Sequence, residues 1–354
     1  MMNNWSHITK PTLVISKKRA VNNILQMAQK IKSQNIIFRP HFKTHQSLEV
    51  GLWFRELGIS KISVSSVDMA QQFVQAAWND ISIVFPFNRR EIENLNTFSS
   101  LAHINILLED IDTAQYISEN STAELGVFIK IDCSYQRSGI SATDFDAVKS
   151  LATEVHSLPN LKLKGLLSHF GNTYAARGEK EVQDIYSNSK QLLINLRHYL
   201  KADFPDLMIS IGDTPSASLV DDFGEIDEMR PGNFVFYDWM QYQIGSCSLN
   251  QIATIVLCPV VAKHPQRNEI VIHGGAVHFS KEKLAHYGAI CSISKEFNTN
   301  IIDGVYLKSI SQEHGIVQCT DDFIEQINIG DLIGVIPIHS CLTANLMKEN
   351  TQIN

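Results

Sequence analysis

Eight strand-like runs in the first two thirds of the chain constrain its fold more than any other feature. They fall at residues 36–38, 62–64, 81–85, 104–108, 127–131, 163–167, 208–211 and, more weakly, 226–229. Between most of them, apolar residues recur at helical spacing, as at 68–77, 90–98, 145–156 and 179–200. Strands alternating with helices point to a parallel sheet, whose neighbours are joined by long crossovers. An open doubly wound sheet and a closed barrel both provide one. No Gly-x-Gly-x-x-Gly follows the first run, which removes the main support for a dinucleotide-binding open sheet. Lys43, Ser65, Pro86, Asp132, His169 and Gly212 all stand at the carboxyl ends of runs, the face on which a barrel assembles its site. The pattern predicts a (β/α)8 TIM-type barrel over residues 11–238.

Past Asp238 the texture changes. Short β-like runs at 252–261, 269–272, 288–293, 304–310, 316–319 and 331–336 are separated by Gly, Pro and Asn turns, with little helical spacing. This predicts an all-β second domain over 239–354, which residues 1–10 are free to join. With 354 residues, 44% of them hydrophobic, the chain can build a large domain and a smaller one. The net charge of −7 and the lack of a basic block predict no nucleic-acid partner. Residues 1–10 are polar and no stretch is long enough to span a membrane, so a soluble cytoplasmic protein is expected. The six cysteines form no Cys-x-x-Cys pair and are expected as buried thiols.

Several short segments carry chemistry. Arg39-Pro40-His41-Phe42-Lys43-Thr44-His45 ends the first barrel strand. A lysine whose pKa is lowered by cationic neighbours or desolvation can form a Schiff base with an aldehyde, although four basic residues also suit a plain surface loop. In His169-Phe170-Gly171-Asn172-Thr173-Tyr174 the glycine lets a ligand approach and the rings can stack on a flat one. Gly212-Asp213-Thr214-Pro215-Ser216 can cup a phosphate on backbone N–H groups or simply cap the next helix. Asp213 would repel such a phosphate if it faced it. Arg137 lies in the loop after the fifth strand, and Tyr237 follows the eighth. In His339-Ser340-Cys341, two ligands two apart on an extended segment would face one side, and imidazole with thiolate suits Zn²⁺. Such a pair is either an open catalytic metal site or two packed side chains.

Taken in order, these segments resemble the fold-type III pyridoxal phosphate enzymes, and among them the D-threonine aldolase and D-serine dehydratase family. Arg137-Ser138-Gly139, Arg230-Pro231-Gly232-Asn233, Tyr237-Asp238, Ser311-Gln312-Glu313-His314-Gly315 and His339 to Thr343 share in the resemblance. It implies a Schiff base between pyridoxal 5'-phosphate and Lys43, with His169 or Tyr174 against the ring and Arg137 at the pyridine nitrogen. It also implies phosphate contacts from Gly212, Thr214 and Tyr237, and a divalent metal, Zn²⁺ or another, on His339 and Cys341. A homodimer with its active site at the subunit interface follows from the same likeness. The cysteine at 341 is the dehydratase-like form, where aldolases tend to carry aspartate. The chain departs from the family's Asp-Ala-Gly at His273-Gly274-Gly275 and from its small hydroxyl residue at Asp213. The implied activity is metal-assisted dehydration of a 3-hydroxy D-amino acid such as D-serine. Retro-aldol cleavage, racemisation and a non-enzymatic cofactor carrier are the alternatives.

Overall fold

The computed structural model describes residues 5–294, 297 and 299–354; of the residues thought free to join the second domain, 1–4 lie outside these. The chain opens with strand β1 (Thr12–Ile15) and helix α1 (Lys17–Lys32), both legible in the sequence. The eight runs then become β2 (Ile37–Phe38), β3 (Ile62–Val64), β4 (Asp80–Pro86), β5 (His103–Leu108), β6 (Leu125–Asp132), β8 (Leu161–Ser168), β9 (Met208–Ile211) and β10 (Glu228–Met229). A two-residue β7 (Ile140–Ser141) pairs with the end of β6. Helices α2 (Leu48–Glu56), α3 (Val67–Gln75), α4 (Ile92–Asn96), α5 (Ile111–Asn120), α6 (Phe145–Ser157), α7 (Glu179–Leu200) and α8 (Thr214–Leu219) fill the crossovers. Ser47, Ser66, Asp110, Asp144 and Asp213 cap five of them by accepting a backbone N–H.

All eight strands are parallel, in the order β2-β10-β9-β8-β6-β5-β4-β3. The ring closes where His41, just past β2, bridges Ser63 of β3 and Pro40 O accepts from Ser63 N at 2.9 Å. The predicted barrel is thus present. Its interior is part apolar and part polar. Leu107, Phe128 and Leu167, with Val84 and Met208 against them, form an apolar layer. Two residues along the same strands stand Ser82, Asn105, Lys130 and Ser210, which share that phase. At the amino-terminal ends of the strands, Arg39 donates to Glu228 and to Asp80, each at 2.6 Å. Lys61 also pairs with Asp80, beside a cavity of about 220 Å³.

The second unit is antiparallel. β11 (Thr254–His264), β12 (Glu269–His273), β13 (Gly288–Ile293), β14 (Thr299–Ile310), β15 (His314–Gln318) and β16 (Leu332–Pro337) run in the order β12-β15-β14-β13-β16-β11. The eleven-residue β11 pairs with β16 along its first half and with β12 along its second, which closes the sheet on itself. β1 then adds antiparallel to β11, and β17 (Thr351–Ile353) adds parallel to β1. Four short helices interrupt the strands: α9 (Trp239–Ile244), α10 (Ala276–Phe279), α11 (Asp321–Gln326) and α12 (Ser340–Leu346). Among the described residues, one compact unit holds 5–24 and those from 233 onward, the other 25–232. The sequence pattern put residues 11–24 and 233–238 with the barrel. β1 belongs elsewhere because its ladder partners are β11 and β17, and hydropathy carries no record of which strand a run pairs with.

Candidate active site

Lys43 sits in a single 3-10 turn, Phe42–Thr44, at the carboxyl end of β2. Phe42 is wholly buried against Phe54, Phe73 and Trp78, with ring centroids 4.9–5.1 Å away. That anchor fixes the turn and leaves Lys43 exposed at the mouth. His41 caps the turn: its Nδ1 lies 3.4 Å from Lys43 N and 3.2 Å from Ser63 O. Burial holds this imidazole well below the ordinary histidine pKa, and the charges of Lys43, Arg230 and His169 push the same way.

His169 is held by Nδ1, which donates to Gly212 O, so Nε2 keeps its lone pair. Burial and the charges of Lys43, Arg137 and Arg230 keep it neutral too, against the bond to Gly212. Tyr135 meets the ring edge-on at 5.8 Å and Tyr174 lies 6.0 Å away. The room at Gly171 is taken by Tyr135: a Cβ there would stand 2.3 Å from its ring. Tyr174 Oη accepts from Thr214 N at 3.4 Å. His169, Tyr174, Gly212 and Thr214 are thus brought together.

Asp213 turns inward. Its Oδ2 accepts from Ser216 N at 2.8 Å and from Thr173 Oγ1 at 3.0 Å. Burial pushes its pKa up to about 6 despite those bonds. Thr214 Oγ1 is buried with no hydrogen-bond partner among the described residues. An unmade buried bond costs about 1–3 kcal/mol, and this hydroxyl suits a group that brings an acceptor. Gly212 is tight as well, since a Cβ would lie 2.9 Å from Arg230 O.

Two buried cations beneath this surface were given no role by the sequence reading. Arg230 is buried, donating from Nε to Ser210 Oγ and from Nη2 to Ser168 O, each at 2.7 Å. Burial pulls its pKa down to about 10. Lys130 is buried with Nζ donating to Ile131 O at 2.8 Å, and burial, then Arg230, brings it down to about 8. Arg137 stands 5.1 Å from the Tyr135 ring centroid, in a loop with left-handed Ser134, Gln136 and Gly139. A lysine within the apolar β6 run was the one signal that could have exposed this layer. Among the described residues, every charge that shifts His41 or His169 is cationic. The donor set is one that an anionic cofactor with an aldehyde fits.

The other unit carries the opposite balance. His339 has extended backbone, but Cys341 already lies in the first turn of α12, so the pair stands on a strand-to-helix junction and not on the extended segment expected. The two side chains still meet: the thiol group raises the imidazole pKa through charge and a hydrogen bond. Burial opposes that rise, yet Cys341, Glu282 and Asp238 together lift His339 well above the ordinary value. Glu282 Oε2 lies 2.7 Å from His339 Nδ1. Asp238 is buried and accepts from Ser340 N at 2.9 Å, while Asn233 Nδ2 reaches Cys341 Sγ at 3.6 Å. A thiolate, an imidazole and nearby carboxylates fit a divalent cation. Tyr237 belongs to this unit, buried and with left-handed backbone (φ 49°). A second cluster, His273, His278 and Glu313, has its ligand atoms within 4.8 Å of one another. His278 Nδ1 there accepts from Gly275 N at 3.1 Å, which leaves the proton on Nε2 and spoils the trio as a metal cage.

Fold and centres together define a barrel with an amine at its mouth and a histidine–cysteine pair on a separate β unit. The family described as alanine racemase, N-terminal domain, matches residues 15–238, and the one described as putative serine dehydratase domain matches 253–352. The chain belongs to the fold-type III pyridoxal phosphate enzymes, in the family of the D-threonine aldolases and D-serine dehydratases. It is 26% identical to D-serine dehydratase of Dictyostelium discoideum, over 99% of this chain and 94% of that one. The structure of D-threo-3-hydroxyaspartate dehydratase from Delftia sp. HT23 superposes with a TM-score of 0.89 at 24% identity, covering 98% of this chain and 94% of the other. D-threonine aldolase from Filomicrobium marinum gives 0.85 at 21%, covering 96% and 90%.

Proposed function

We propose that the chain is a pyridoxal phosphate-dependent, metal-assisted dehydratase that converts a 3-hydroxy D-amino acid such as D-serine into a 2-oxo acid and ammonia. The carrying observation is the pair of oppositely charged centres, one around Lys43 and one around His339 and Cys341. Relatives named D-serine dehydratase and D-threo-3-hydroxyaspartate dehydratase support the reaction class. A cysteine-to-alanine mutant of the Delftia protein was solved in a metal-free form, which supports a metal role for Cys341. Bound, the cofactor supplies an electron sink for the pair released at the α-carbon, and a divalent ion such as Zn²⁺ supplies Lewis acidity toward the leaving hydroxide.

The chain's own groups do the rest. Lys43 would hold the cofactor through its aldehyde, and its amine would serve as the base for the α-proton. Neutral His169, locked by Gly212 O, presents a flat uncharged ring beside Tyr174. Gly212 and Thr214 would receive the phosphate, a role the family likeness extends to Tyr237, with Asp213 turned inward to cap α8. Arg137 would stand at the pyridine nitrogen and disfavour its protonation. His339 and Cys341 hold the metal. The site is completed across a homodimer interface. Water leaves with the β-hydroxyl and one is taken up as the product imine hydrolyses, so D-serine gives pyruvate and ammonia in equal amounts.

The test is product analysis. D-serine should yield pyruvate, and Lys43→Ala should lose both turnover and the yellow cofactor absorbance. Pyruvate formation that survives Lys43→Ala would sink the reading. Aldehyde and glycine from D-threonine, without 2-oxobutanoate, would move the chain to the aldolases, which several relatives are.

A further inference from the structure

We propose that Glu282 is a positioning residue for the metal: its carboxylate accepts a hydrogen bond from His339 Nδ1–H and so presents Nε2 as the lone pair that binds the ion. The inference rests on His339 and Cys341 being metal ligands and extends that reading. The Oε2–Nδ1 separation of 2.7 Å is that of a charge-assisted hydrogen bond. An imidazole has two nitrogens, and the one that donates to a carboxylate cannot also give a metal its lone pair. With Nδ1 committed, Nε2 is left. The carboxylate also raises the basicity of the ring, a pairing that recurs behind metal-bound histidines.

Glu282 is not a side chain that drifts into reach. It follows α10, which packs against α12, the helix that begins immediately after His339. Ser280 turns the chain with a left-handed φ of 66°, and its Oγ accepts from Glu282 N at 3.2 Å. The glutamate and histidine side chains are one-third and one-quarter exposed. At that exposure an ion pair adds little to stability. A purely structural role would therefore move metal binding very little.

The experiment uses the full-length holoenzyme stripped of metal. Zn²⁺ affinity is measured by competition with a chromophoric chelator, and Co²⁺ loading by its visible ligand-field bands. Glu282→Ala should weaken Zn²⁺ ~10- to 100-fold, shift the Co²⁺ bands and leave the cofactor absorbance unchanged. Glu282→Gln, whose oxygen still accepts the Nδ1 proton but carries no charge, should fall between, and it carries the test if the alanine variant does not fold. Affinity within about twofold of wild type, with unchanged Co²⁺ bands, overturns the proposal. If Cys341→Ala loses the metal while Glu282→Ala keeps it, Glu282 alone is misassigned. If the wild type binds no metal, the metal reading falls and this proposal with it.

Discussion

The barrel centre and the β-unit centre solve opposite electrostatic problems. Around Lys43, burial and mutual repulsion drive His41, His169, Lys130 and Arg230 toward their neutral forms. Around Cys341 an equally buried histidine is driven the other way, toward its charged form, by the thiol and Glu282. Burial is common to both, so it does not explain the difference; the neighbours do. One centre gathers cationic neighbours and suits an anion, the other gathers acidic neighbours and suits a cation. The contrast also teaches that a histidine's role is set by its surroundings and not by its motif.

The largest effect should come from dissecting the two centres separately. Chelation, or Cys341→Ala, should remove the ion while leaving the Lys43-bound chromophore intact. If the ion supplies ~4 kcal/mol of transition-state stabilisation, turnover falls on the order of 10³-fold. Lys43→Ala should do the reverse, abolishing the chromophore and leaving Zn²⁺ affinity unchanged. Absorbance spectra and metal titrations on the same two variants check both halves. Loss of the chromophore on chelation would break the comparison, because the two centres would then not be independent.

The sequence exposed this arrangement unevenly. The barrel was legible because parallel strands covered by helices leave long, regularly spaced apolar runs, and all eight reappear. Lys43, His169 and Gly212 were legible because they fall where those runs end. The inner layer was not. Arg230 and Glu228 sit in a weak run of which only two residues form strand, and Arg39 finds Glu228 across 189 positions. Glu282 lies 57 residues before its histidine in a segment with no pattern of its own. Asp213 left two readings open, a charge repelling a phosphate or a helix cap, and only coordinates reveal that it accepts from Thr173 and Ser216.

A smaller effect concerns what holds the cationic layer in place. Glu228 is fully buried, bonded to Arg39 at 2.6 Å and accepting from Ser210 Oγ at 2.7 Å, while Ser210 in turn accepts from Arg230 Nε. Glu228→Gln keeps the shape and removes the counter-charge. Breaking a buried ion pair costs ~3–5 kcal/mol, and Asp80 remains for Arg39, so about 3 kcal/mol is expected. Urea midpoints of the apoprotein measure it. A loss under about 1 kcal/mol would mean that the barrel tolerates its positive surplus without this carboxylate.

Asp213 sharpens the comparison at the finest scale, as a carboxylate on the cationic side that nevertheless holds its proton. Its folded pKa of about 6 lies above the ordinary 3.8. Below pH ~4 it is protonated whether the chain is folded or not, so it has no effect there. Between about 4 and 6 the unfolded chain releases the proton and the folded chain retains it, so stability falls as pH rises. Above 6 the full penalty stands, about 3 kcal/mol from a shift of roughly two pH units. Asp213→Asn keeps an oxygen for Ser216 N and removes the titration. The apoprotein's melting temperature should therefore drop relative to the variant's between pH 4 and 6, and the two should run parallel above. Parallel curves throughout would place the proton elsewhere, and Asp213 would then be an ionised carboxylate that Arg230 does stabilise.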